Sequence, residues 1–162
     1  MSRFPSEPQR LSRRRTLAVL GGVGLAVGAG FTTRPRTHRL VCRDQRTDDV
    51  LGRWPVPVGS VVSLSWIHSI ELTPWTDFFV VEPDRFRLIR TEFQAYGAGT
   101  PEGDGTPVRR EGDVFVMELD RPVETINWIH SRRQHHTLSV GDRVLAPSDS
   151  LPHHRPLELS ST

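Results

Sequence analysis

The sequence predicts a mainly β protein: a small antiparallel β-sandwich or barrel, preceded by one N-terminal apolar helix. Three observations carry the prediction. Apolar and small polar residues alternate with period two in several short runs, the pattern of half-buried strands. Turn chemistry built on Gly, Pro, Asp and Asn separates those runs at the spacing expected of sandwiches and barrels. No segment beyond residue 36 has the period of an amphipathic helix. Of the 162 residues, 25% are charged and 36% hydrophobic, a balance suited to a packed core rather than to disorder.

The chain divides by charge. Residues 1–36 hold seven arginines and one acid, whereas residues 37–162 hold 14 arginines and 18 acids, a net charge of −4. A nucleic-acid binder carries its basic face on the folded domain, so the acidic body excludes that class. Arg13, Arg14 and Arg15 precede a charge-free apolar stretch over residues 17–31, LAVLGGVGLAVGAGF. A charged region followed by such a stretch is an export pattern, and the paired arginines fit a twin-arginine signal. The expectation for residues 1–36 is a twin-arginine-like signal or an anchor in the cell membrane, with the rest of the chain extracytoplasmic. The single cysteine, Cys42, excludes an intrachain disulfide and a Cys-based zinc site. It reads as a small buried core residue.

The β domain is expected over residues 37–146. Residues 40–42 and 50–54 supply edge strands. The strongest alternation sets Val62, Leu64, Trp66, His68 and Ile70 against Ser63, Ser65, Ile67, Ser69 and Glu71, and Pro74 is expected to end that strand. Residues 78–81 (FFVV) form the next strand and pair, across a Glu-Pro-Asp turn, with a strand over residues 86–95. Residues 96–104 are a glycine-rich loop. Strands follow over 114–119 and 123–130, then a hairpin of 137–140 and 143–146 about Gly141-Asp142. Residues 147–162 are expected to be a flexible tail. One echo is visible: Ser65-Trp66-Ile67-His68-Ser69 resembles Asn127-Trp128-Ile129-His130-Ser131, 62 residues later. Two such strands would pair or lie on facing sheets.

The residues able to carry chemistry cluster at His68, Ser69, Glu71, Thr73 and Asp77, with His130 as a distant partner. Imidazole with carboxylates suits a divalent first-row metal, although the spacing matches no strong metal motif. The opposing reading of His68 is a satisfied buried histidine on an apolar face. A serine triad is excluded: there is no G-x-S-x-G elbow, and adjacent strand residues such as His68 and Ser69 point to opposite faces. Gly97 and Gly99 lie in a loop without the lysine and following helix of a phosphate loop. It is either a tight turn or a small anion pocket lined by backbone amides. His135-His136 and His153-His154 read as exposed pairs.

The block His68-Ser69-Ile70-Glu71 with Thr73-Pro74 and Asp77, followed by Gly97-Ala98-Gly99 and Pro101, resembles the domain of unknown function 1850 family. The family pattern is roughly H-S-V-E-x-T-P-x-x-E and then G-A-G-x-P, and this chain departs from it at Ile70 and Asp77. The resemblance implies small exported or membrane-tethered proteins encoded beside TAXI-type TRAP transporters, which import organic acids. It implies no activity and no cofactor. His68, Glu71, Thr73, Gly97 and Gly99 are its signature positions.

Three functions follow as expectations. The first is a non-enzymatic accessory or binding domain, partnered with TRAP-type transporter components at the membrane, its motif forming a pocket with His68, Ser69, Glu71, Thr73, Asp77, Gly97, Gly99 and His130 for a small solute or ion. The second is a metal-dependent hydrolase using His68, Glu71, Asp77 and His130. The third is a purely structural, partner-binding module whose motif only shapes a strand end.

Overall fold

Alternation in the sequence becomes two antiparallel sheets sharing one core. The computed structural model describes residues 37–96 and 106–162. The leader, where an apolar helix is expected, and Gly97 and Gly99 lie outside the described residues.

Eleven strands run in chain order among the described residues: β1 Thr37–Asp44, β2 Val50–Pro57, β3 Val61–Ile67, β4 Pro74–Val81, β5 Phe86–Phe93, β6 Val108–Glu111, β7 Val114–Val123, β8 Ile126–His130, β9 Thr137–Val140, β10 Arg143–Ala146 and β11 Arg155–Ser161. They build a four-stranded sheet in the order β2-β1-β11-β8 and a seven-stranded sheet in the order β10-β9-β3-β4-β5-β7-β6. Leu40, Cys42, Val56, Leu157, Leu159 and Ile126 of the small sheet share a buried cluster with Val62, Leu64, Phe79, Val81, Phe86 and Leu138 of the large one. The arrangement is therefore a sandwich, with its core between the inner faces. Cys42 is fully buried, and burial with the nearby Asp44 pushes its thiol pKa up to about 12, so it is an inert core residue.

A second buried cluster of Trp75, Phe93 and Met117 is built on strands of the large sheet alone. It contains an aromatic ladder. Trp66 lies opposite Trp75, Trp75 opposite Phe93, and Phe93 opposite Phe115. Their centroids are 5.8, 4.9 and 5.5 Å apart with near-parallel planes. Cross-strand aromatic pairs of this kind add about 0.5–1.5 kcal/mol each beyond area burial.

Several expectations are corrected. Residues 147–162 are not a flexible tail. Leu151 is buried, and β11 lies inside the small sheet between β1 and β8. The polar run before it disguised a strand whose Leu157 and Leu159 face the core. Pro74 opens β4 rather than ending the preceding strand, which stops at Ile67. A proline lacks the N–H of an interior strand residue but is tolerated at a strand's first position. Residues 123–130 are not one strand: β7 ends at Val123 in the large sheet and β8 begins at Ile126 in the small one. The short edge strand β6 had no signal, because its Val-Arg-Arg-Glu sequence is nearly all exposed. The hairpin of β4 with β5 and that of β9 with β10 are as expected, the latter turning at Gly141 with a φ of 52°.

Candidate functional site

The structure separates the motif into a corner and a wall. His68 to Thr73 make the turn from β3 to β4. The His68 N–H donates to the Thr73 carbonyl at 2.8 Å, and the Leu72 N–H donates to the His68 carbonyl at 2.9 Å. His68 Nδ1 accepts the Glu71 N–H at 3.2 Å, and its ring lies 5.8 Å from that of Trp75. Leu72 holds a φ of 55° at the apex, a conformation that branched side chains adopt rarely. Ser69 is exposed, and Glu71 and Thr73 are half-buried. These residues close a tight turn over the end of the aromatic ladder.

Asp77 points elsewhere. It faces the inner side of the large sheet, on β4 opposite Leu64, and lines a cavity of about 290 Å³. The floor is Leu64 and Trp66 of β3 with Asp77 and Phe79 of β4. The opposite wall is Ile126, Asn127 and Trp128 of β8, reached through Val123 and Thr125 where the chain changes sheets. His136 closes one end. Because β8 is the outermost strand of the small sheet, the cavity lies under a sheet edge, where facing side chains are not covered by a further strand.

The echo in the sequence has its meaning here. Trp66 and Trp128, the second residues of the two five-residue blocks, stand on facing sheets and line the same cavity. Trp128 is held by the histidine two residues on: its Nε1–H donates to His130 Nδ1 at 3.2 Å. His130 is fully buried, and its Nε2 is 2.9 Å from the Ser148 carbonyl, to which it donates. Burial lowers its pKa, against the Ser148 hydrogen bond. With both ring nitrogens engaged, the neutral His130 positions Trp128 and offers no lone pair to a metal.

His136 is not the exposed residue expected from sequence. It is half-buried, stacked on Trp66 at 5.9 Å and 16°, and its Nδ1 accepts the Ser131 N–H at 3.1 Å. Burial lowers its pKa below the ordinary value, against the Ser131 backbone and helped by His130 nearby, so it is neutral at pH 7. Trp66, Trp128 and His136 were missed as site residues. The W-x-H spacing of the echo, which puts both rings on one face of a strand, was the signal available.

The electrostatics centre on Asp77. Thr91 Oγ1 donates to its Oδ1 at 2.7 Å and Trp75 Nε1 donates to the same oxygen at 3.1 Å. No described arginine pairs with it. Burial raises its pKa, and the two hydrogen bonds only partly oppose the rise. A folded-state pKa above the unfolded one gives stability that is complete below the ordinary carboxylate value and is lost as pH rises through the raised value. Asp77→Asn keeps an oxygen acceptor and removes the half-buried charge. It is expected to melt higher than the parent at pH 7, the gap closing as pH falls below about 4. Melts across pH 3–8 check this, and a variant less stable at neutral pH would contradict it.

The hydrolase reading is not favoured. His68, Glu71, Asp77 and His130 do not form a metal-holding group, nor do any three His, Cys, Asp or Glu among the described residues.

Sheet order and cavity define the class: an all-antiparallel two-sheet β domain with one aromatic-walled, carboxylate-bearing cavity under a sheet edge. The family model described as domain of unknown function (DUF1850) matches residues 62–146, more than half of the chain, and the chain belongs to that family. The match spans the large sheet and β8, whereas β1, β2 and β11 lie outside it. No curated protein and no solved structure matches the chain.

Proposed function

We propose that this is a non-enzymatic binding domain, held outside the membrane by its N-terminal segment, that acts as an accessory to a TRAP-type transporter of the TAXI kind. The observation that carries the binding role is the cavity between Trp66 and Trp128. It has apolar walls and a few polar groups directed inward, the usual make-up of a small-ligand site. A nucleophile paired with a base is not part of it. The export pattern at Arg13 to Arg15 and the family's setting beside such transporters support the location and the partner.

The test is a thermal-melt screen of the full chain against small solutes and divalent metals. A ligand at about 100 times its dissociation constant stabilises by about 2.7 kcal/mol, which shifts a melt visibly. The expected shift disappears in Trp128→Ala and survives in His68→Ala, which only loosens the turn. A shift lost in His68→Ala alone would move the site to the turn. No shift with any solute would leave the partner-binding role as the better reading. For the location, a tagged chain is expected to leave the cytoplasm, and Arg13→Lys with Arg14→Lys to hold it there. Unchanged export of that double variant would refute the twin-arginine route.

A further inference from the structure

The walls of the cavity have a charge sign that narrows what it can hold. Among the described residues that line it, Asp77 is the one acid and none is an arginine. His136, the remaining titratable wall, is neutral because burial disfavours its charged form. An anion entering this space would meet a carboxylate and no cation among the described walls, with water's screening reduced by the half-buried surroundings. Asp77 itself is incompletely served. Thr91 and Trp75 both donate to Oδ1, and no described residue donates to Oδ2 or forms an ion pair with the carboxylate. A half-buried carboxylate with no counter-charge among the described residues is a cost to the fold, the kind of cost that persists at sites built for a ligand. Around it stand indoles from both sheets, Trp66 below and Trp128 above. The Trp128 rotamer is fixed by its bond to the buried His130. An indole face attracts a cation through its quadrupole, and the attraction is larger when water is excluded.

We propose that the cavity is a site for a small organic ammonium ion, its positive head beside Asp77 and between the indoles of Trp66 and Trp128, its short apolar body against Leu64, Phe79 and Ile126. This deepens the binding role proposed above and rests on it. The volume of about 290 Å³ lies at the lower end of small-molecule sites, which suits a compact alkylammonium rather than a peptide. Such a ligand is opposite in sign to the organic acids that the transporters import. The site would therefore sense or hold a second solute rather than the cargo.

Isothermal titration of the full chain with four probes of similar size tests the assignment: tetramethylammonium, butylammonium, neutral 3,3-dimethylbutanol and butyrate. The two cations are expected to bind at one per chain, about tenfold or more tighter than the neutral probe, with no binding of butyrate. Asp77→Asn should lower cation affinity about tenfold and leave the neutral probe unchanged, and Trp128→Ala should weaken both. Asp77→Asn keeps both hydrogen bonds to Oδ1, and a melt of each variant checks that it is folded. Trp128→Phe, which retains a π face, covers the case of a misfolded alanine variant. Butyrate or the neutral probe binding as tightly as the cations, with loss in Trp128→Ala, would overturn the ligand class and leave the cavity as a binding site. Binding of none of the four would overturn both.

Discussion

Deletion of residues 155–162 is expected to unfold the domain rather than shorten it. β11 is hydrogen-bonded on both sides, to β1 with Cys42 opposite Leu159 and to β8 with Trp128 opposite Leu157. Leu157 and Leu159 are fully buried, and each buried leucine lost to a cavity costs about 2–5 kcal/mol. Arg155 would also leave Asp44, whose Oδ2 lies 2.7 Å from its Nε. Burial raises the pKa of Asp44, but Arg155 and the backbone N–H groups of Arg46 and Thr47 outweigh it and hold that pKa below the ordinary value. Removing the strand would expose the facing edges of β1 and β8 with their backbone groups unpaired. The sum approaches the whole stability of an ordinary domain, about 5–15 kcal/mol. Far-UV circular dichroism and a urea titration of the truncated chain measure it. A cooperative transition within a few degrees of the parent would refute the central place of β11. The same strand pairs with the one that carries Trp128, so a partly folded truncation should lose ligand binding before it loses the large sheet.

The second large effect is at Trp75. It is 7% exposed, stacks on Trp66, Phe93 and His68, and donates its Nε1–H to Asp77. Trp75→Ala removes an inner rung of the ladder and one of the two donors to the half-buried Asp77 carboxylate. A buried tryptophan replaced by alanine costs about 3–5 kcal/mol, roughly 10–20 °C in melting temperature for a domain of this size. Trp75→Phe retains a stacking ring and loses only the donor, so it should cost about 1–2 kcal/mol. Melts of both variants decide the matter. If alanine costs less than about 1 kcal/mol, the ladder is a surface decoration rather than part of a buried cluster. The loss of the Trp75 donor also pushes the Asp77 pKa further up, so the Asp77→Asn advantage at pH 7 should be larger, and should level off at a higher pH, in the Trp75→Phe background.

The all-β class was legible because alternation is a local property: Val62, Leu64 and Trp66 announce one buried face within six residues. The hairpins of β4 with β5 and of β9 with β10 were legible for the same reason, since their turns carry Pro83 and Gly141. The histidine motif was legible as a pattern but not as an object. Alternation continued it as strand, whereas Pro74 and the backbone bonds between His68 and Thr73 make it a corner. Asp77 was grouped with His68 by nearness in sequence, although β4 turns it toward the opposite sheet. The cavity could not be read at all. Its floor and its upper wall come from strands about 60 residues apart, and only the packing of one sheet on the other brings Trp66 over to Trp128. The apparent tail failed for a related reason. A seven-residue strand with two leucines is too weak a local signal to outweigh its proline and two serines, and it is stable only because β1 and β8 present open edges on either side of it. Sequence by itself determined the all-β class, most of the strands, the core cysteine and the acidic body. The tertiary structure decided which faces meet, and with them where the Asp77 carboxylate finds two indoles, because that outcome depends on sheet order and on the shared hydrophobic core rather than on any local propensity.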